Sequence, residues 1–195
     1  MDCGKPLHYI HANPAKPCVK TSTLWPKALK EKQYDYLSLQ SHYGATLAQD
    51  VDTISKWIEM QGEAIVIIHT GWARSASRAE EYAQKKPAEK MQHSRAHIAE
   101  LIRRLKKRFP KREIRQTHAQ ELLARVAADA AAGKAPIDDV KDLYRDAIHM
   151  NVVTGRYLVH NAMRHALDQP RSQEGFNKLD PKMKKYLDSV LDTLK

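Results

Sequence analysis

Ala64-Ile65-Val66-Ile67-Ile68-His69 is a continuous apolar run of strand length that ends on an imidazole. A run without polar alternation suits a parallel strand covered on both faces, the interior position of an α/β sheet. Working outward, Leu47, Val51, Ile54, Trp57 and Ile58 recur at helical spacing, so Thr46–Met60 reads as an amphipathic helix with Thr46 at its N-cap. Before it, Tyr36, Leu37 and Leu39 mark another buried strand, and Trp25–Lys32 a helix with Pro26 in its first turn. After the run, Ser75–Lys85 reads as a helix or helical loop, and Ser94–Phe109 as a strong helix stopped by Pro110. Glu113–Gln116 suits a short strand, Ala119–Ala132 an Ala-rich helix closed by Gly133, and Ile137–Tyr144 a short helix. Helices over Gly155–Leu167 and Pro181–Leu194 complete the chain. Strands alternating with long helices predict a mostly parallel sheet between helical layers, a three-layer α/β/α sandwich with three or four legible strands.

The 195 residues are expected to form one domain, residues 1–195, with an irregular segment 1–23 and a C-terminal helical extension 170–195. Pro6, Pro14 and Pro17 interrupt the first segment, where Leu7–Ile10 is a short strand candidate. No run approaches the roughly 18–20 apolar residues of a membrane span, and no signal-like h-region is visible, so a cytoplasmic location is expected. Cys3 and Cys18 form no C-x-x-C; a reduced pair fits that location, and one disulfide stays open. The formal charge of +10 raises nucleic acid or an acidic surface as partners. Its densest source, Arg103-Arg104-Leu105-Lys106-Lys107-Arg108, falls on a helix whose apolar face is Ile98, Leu101, Ile102 and Leu105. That pattern is an ordinary solvated face, and aromatics do not interleave with it as single-strand binders require. No nucleic acid partner is therefore expected, and nothing in the pattern sets an oligomeric state.

Chemistry concentrates in Leu143-Tyr144-Arg145-Asp146-Ala147-Ile148-His149-Met150-Asn151-Val152-Val153-Thr154-Gly155-Arg156-Tyr157-Leu158. An Asp three residues before a His can fix the imidazole tautomer and stabilise the imidazolium formed when a hydroxyl nucleophile loses its proton. The same spacing also occurs as a plain structural hydrogen bond in a loop. The block resembles the last conserved block of the SGNH (GDSL-type) hydrolases, whose Asp and His come from one loop followed by a helix. Asp146 and His149 match that pair, and Thr154 opens a helix through Ala166. Tyr34-Asp35-Tyr36-Leu37-Ser38-Leu39-Gln40-Ser41-His42-Tyr43-Gly44 stands where the family has a core strand running into its third block. The resemblance spans about residues 34–168. It implies an SGNH or flavodoxin-like sandwich and ester or acyl-ester hydrolysis of a small-molecule ester by a Ser-His-Asp mechanism, without a cofactor or metal.

The departure from the family lies at the N-terminus. No G-D-S-like nucleophile block precedes Tyr34, and the residues before it hold one helix and one short strand. The first strand and helix of the family are therefore expected to be missing from this chain, leaving a sheet edge prone to self-association. The family's G-x-N-D pattern is also absent. Gln40 and His42 occupy the place of its oxyanion-hole Asn, and Gln40 is the closer chemical substitute. Ser41 is the serine at a strand end, without the G-x-S-x-G elbow that exposes a nucleophile; Ser22 and Cys18 are further nucleophile candidates. His69 belongs with Gln40, Ser41 and His42 among the substrate-contacting candidates, because ligands in open parallel sheets bind beyond the carboxyl ends of the strands. His42, His69, Asp146 and His149 have the ligand types of a zinc or iron site but not the spacing of a metal motif. Trp72 and Tyr43 are candidate walls of an acyl pocket, and Arg74 a candidate anion contact. His160 and His165, five apart on the last long helix, do not share a face. Two alternatives stand beside hydrolysis: a non-catalytic ligand-binding protein on this fold, and a basic protein associated with nucleic acid.

Overall fold

The computed structural model describes residues 24–42, 44–88 and 91–194. The candidate strand Leu7–Ile10 and the residues Cys3, Cys18, Ser22 and Tyr43 lie outside them. In chain order the elements are α1 (Leu24–Glu31), β1 (Tyr36–Leu39), α2 (Leu47–Glu59), β2 (Ile65–Ile68), α3 (Arg78–Ala83), α4 (Arg95–Arg108), β3 (Ile114–Gln116) and α5 (Ala119–Ala131). A short 3₁₀ helix, Val140–Leu143, then leads to α6 (Thr154–Ala166) and α7 (Pro181–Leu191).

The apolar run becomes the centre of the sheet. β2 pairs in parallel with β1, from Tyr36 opposite Ile65 to Leu39 opposite Ile68, and with β3, from Val66 opposite Ile114 to Ile68 opposite Gln116. Order β1-β2-β3 follows the sequence, with helices crossing over between successive strands. Val66, Ile67 and Ile68 are fully buried because both faces of this strand are covered. Leu37, Leu39, Val66, Ile68 and Ile114 point to one face and join Ile54 and Ile58 of α2 and Leu101 and Leu105 of α4 in a single apolar cluster. Alternation turns Ile67 and Arg115 to the other face, where Arg115 Nη1 donates to Ala166 O at the end of α6 (3.0 Å). The second cluster is built by α5, the 3₁₀ helix, α6 and α7 around Leu123, Val126, Leu143, Tyr157, Leu158 and Leu187. The chain is thus an α/β sandwich with a three-stranded parallel sheet.

Polar groups fix where strands begin and end. Gln61 Nε2 donates to Leu29 O (2.6 Å) and Lys32 O (2.8 Å), and its Oε1 accepts from Tyr34 N (3.0 Å), which sets the entry to β1. Thr46 and Gln49 form a reciprocal capping box on α2, so the expected N-cap is present. Buried Asp50 accepts the His42 N–H (3.2 Å) and faces His97 Nε2 (3.3 Å), tying the loop after β1 to α4. Three expected elements are shorter than their sequence patterns. The Ser75–Lys85 segment is helical only over Arg78–Ala83, Ile137–Tyr144 tightens to the 3₁₀ turn, and the last helix ends at Leu191. Among the described residues no helix is long and apolar enough to cross a membrane.

Candidate active site

The segment leaving β2 organises the site. His69 is anchored by its backbone N–H to Leu39 O (2.7 Å) and by Nδ1 to Thr117 Oγ1 (3.1 Å), just beyond the end of β3. Burial lowers its pKa, and the neighbouring His93 ring adds to the effect. Trp72 follows; its ring meets His69 edge-on at 6.1 Å between centroids.

The Asp146–His149 loop is sewn onto this segment. Trp72 Nε1 donates to Ile148 O (2.8 Å), Ser75 N to Ala147 O (2.9 Å), and Tyr144 Oη to Ala73 O (2.8 Å). The loop closes on itself through an antiparallel bridge of Tyr144 with Met150 and a bond from Arg145 N to His149 O (2.9 Å). Tyr144, buried among apolar residues of the second cluster, gives the loop its root.

Within the loop, Asp146 Oδ2 lies 2.8 Å from His149 Nδ1, and Oδ1 lies 3.0 Å from it. Asp146 Oδ1 also accepts the backbone N–H groups of Ile148 (2.9 Å) and His149 (2.8 Å). The Ile148 N–H and then the His149 ring hold the carboxyl well below the usual carboxylate range. An ionised carboxylate only accepts, so His149 Nδ1 donates and Nε2 is left as the reactive nitrogen. Both side chains are about half exposed, at 52% for His149 and 46% for Asp146. Ile148 (44%) and Val152 (57%) present apolar surface beside them.

The other predicted residues divide. Gln40, immediately after β1, reaches the turn at Gly71, where a Cβ would lie 2.9 Å from Gln40 Nε2. Its amide therefore stands at the strand ends rather than in the core. His42 is exposed on the loop that Asp50 holds. Ser41 Oγ is buried and has no hydrogen-bond partner among the described residues. No group of three or more His, Cys, Asp and Glu among the described residues is placed to hold a metal ion, so His42, His69, Asp146 and His149 do not converge as a cage. His160 packs against Phe176, 5.5 Å between ring centroids, away from the loop.

One pair escaped the sequence reading. Glu81 of α3 is buried, and its Oε1 accepts the His93 backbone N–H (2.7 Å) and faces His93 Nδ1 (3.1 Å). The two are 12 positions apart and share no helix or strand, so no helical or strand spacing links them. The available signal was a His just before the N-cap Ser94, where an acidic helix could supply a partner.

No family model matches the chain, and no curated protein does. Among solved structures it is similar to the crystal structure of a DUF4886 family protein from Bacteroides uniformis, with 21% identity and a TM-score of 0.51. The match covers 84% of this chain and 63% of that one, so the chain spans less than two thirds of the length of the protein it resembles. At this identity the likeness establishes a shared α/β fold.

Proposed function

We propose that this chain carries the acid–base machinery of an SGNH-type ester hydrolase, with His149 as general base and Asp146 as the residue that orients it. The observation that carries the reading is the Asp146–His149 contact of 2.8 Å in a loop pinned to the segment after β2. A nucleophile hydroxyl would attack the ester carbonyl while its proton passes to His149 Nε2. The same proton then goes to the departing alkoxide, and a water repeats the sequence on the acyl intermediate. Gln40 supplies a side-chain N–H donor for the oxyanion, and Ile148, Val152 and Trp72 supply apolar surface for an acyl group. Among the described residues no serine hydroxyl is hydrogen-bonded to His149, so the reading names no nucleophile. The substrate is a small-molecule ester.

The test is labelling of the folded protein with a fluorophosphonate probe, with the modified residue located by mass spectrometry. The hydrolase reading expects one labelled Ser and loss of that label in His149→Ala. Removing a general base of this type slows the step by roughly 10²–10⁴-fold. A folded protein that takes no label overturns the reading. It would favour the second one, a ligand-binding protein on the same fold, for which the open, half-exposed position of His149 speaks.

A further inference from the structure

Among the described residues β3 ends the sheet on the side away from β1, and a groove runs along its free edge. In a parallel ladder a residue turns both backbone groups to the same side, and successive residues alternate. Val66 N donates to Glu113 O (3.0 Å) and Thr117 N to Ile68 O (3.1 Å), which sets the odd-numbered positions of this strand toward β2. The N–H and C=O groups of Ile114 and Gln116 therefore point away from β2. None of them has a hydrogen-bond partner among the described residues.

The space beyond them is open. It is a groove of about 400 Å³ with β3 as its floor. Ile102 and Lys106 of α4 form one wall, and His165, Ala166 and Asp168, at the end of α6, form the other. The groove thus occupies the place of a further strand, between the helices on the two faces of β3. Gln116 lines it, and its Oε1 is buried without a hydrogen-bond partner. Buried acceptors are ordinarily paired, so the groove is short of a donor. An extended main chain brings N–H donors and C=O acceptors in alternation, as strand addition at a sheet edge requires.

Charge selects the kind of chain. The carboxylates at the groove are engaged: Asp168 with Arg115 (2.5 Å), Glu113 with Arg115 (2.6 Å) and Glu121 with His118 (3.3 Å). Lys106 is exposed on the α4 wall and has no carboxylate partner among the described residues. It belongs to the basic run Arg103–Arg108 of a chain with a formal charge of +10. Side chains of an added strand alternate between the two walls, so every second one faces Lys106. A carboxylate there meets an unpaired cation, and a cation there is repelled. We propose that the β3 edge is a docking groove for an extended acidic segment of a partner protein, which pairs its main chain with Ile114 and Gln116 and sets a carboxylate against Lys106. β3 is only three residues long. The pairing is therefore short, and the charge decides which segment is taken. The lining residues lie outside the Asp146–His149 loop, so docking does not depend on the proposed hydrolysis.

The experiment is amide NMR of the ¹⁵N-labelled full chain, titrated with acetyl-Val-Glu-Val-Glu-Val-amide, with the same peptide carrying Lys in place of Glu, and with the Glu peptide N-methylated at alternate residues. The Glu peptide should shift the amide signals of Ile114 and Gln116 and bind about tenfold or more tightly than the Lys peptide. The N-methylated peptide, which lacks the donors, should not bind. Lys106→Glu changes an exposed side chain and should invert the preference between the Glu and Lys peptides. No binding of the Glu peptide, shifts confined to other residues, equal binding of the Glu and Lys peptides, undiminished binding of the N-methylated one, or a preference that survives Lys106→Glu would each overturn the proposal. A short oligothymidylate that shifts the same amides more strongly than the Glu peptide would overturn it in favour of nucleic acid. Movement of the Ile114 and Gln116 signals on dilution of the protein alone would do so in favour of a second copy of this chain.

Discussion

Asp146 does two jobs with one carboxylate: it ties a turn and it aims a ring. The Ile148 N–H and then the His149 ring lower its pKa. A depressed carboxylate stabilises the fold above its ordinary pKa of about 4, and that contribution fades as pH falls toward the native value. Asp146→Asn should therefore lower Tm at pH 7, and the gap from the unaltered protein should shrink steadily as pH drops below about 4. Thermal melts of both proteins across that range check it; a gap that stays constant with pH would mean the loss is steric. In the proposed reaction the same variant presents the ring in a less defined tautomer, so it should reduce labelling even where the fold persists.

The loop that carries the pair is held at element scale by the start of α6. Asn151 Nδ2 donates to Asp142 O and Thr154 Oγ1, both 2.6 Å, and its Oδ1 accepts from Val153 N (3.0 Å) and Gly155 N (3.1 Å). It thus acts as the cap of a helix whose own N-cap residue, Val153, has no side-chain bond to give. Asn151→Ala should cost about 1–2 kcal/mol in urea unfolding. Gly155 is the tighter constraint, since a Cβ there would run into the Leu143 carbonyl and the Met150 side chain. Gly155→Ala should cost about 1–3 kcal/mol and shift the His149 ring resonances, because α6 must move off the base of the loop. Unfolding at the wild-type midpoint, with unshifted resonances, would show that the helix and the loop are not coupled. Hydrophobic period and cap residues made these elements legible: Thr46, Ser94 and Gly133 mark boundaries in the sequence as they do in the structure. The Asp146–His149 contact was legible because its partners are three apart. Gln40 was legible only through its place after a strand. The Glu81–His93 pair was not, because its partners are 12 positions apart and share no helix or strand whose period would bring them together.

Across the whole molecule the two faces of the sheet are unequally covered. Leu37 and Leu39 of β1 are buried under α2 and α4, while Tyr36 (37%) and Ser38 on the opposite face are exposed, with Tyr34 (40%) beside them. Among the described residues β1 pairs only with β2, so one row of its N–H and C=O groups lacks a strand partner. Parallel sheets are ordinarily covered on both faces, and an apolar edge of this kind is a template for another chain. A positive charge on such an edge opposes pairing, because it must be stripped of water to be covered. The expectation is that the protein self-associates through β1, its mass in sedimentation rising with concentration above the 22.3 kDa of one chain. Ser38→Lys should return it toward that mass and weaken association by at least about tenfold, since covering one unpaired charge costs more than the 1.4 kcal/mol that a factor of ten represents. The Lys side chain stands on an exposed surface and should leave Tm within a degree or two. A wild-type protein that sediments as a single chain at every concentration would show that the edge is protected. Association unchanged by Ser38→Lys would place the contact on another face.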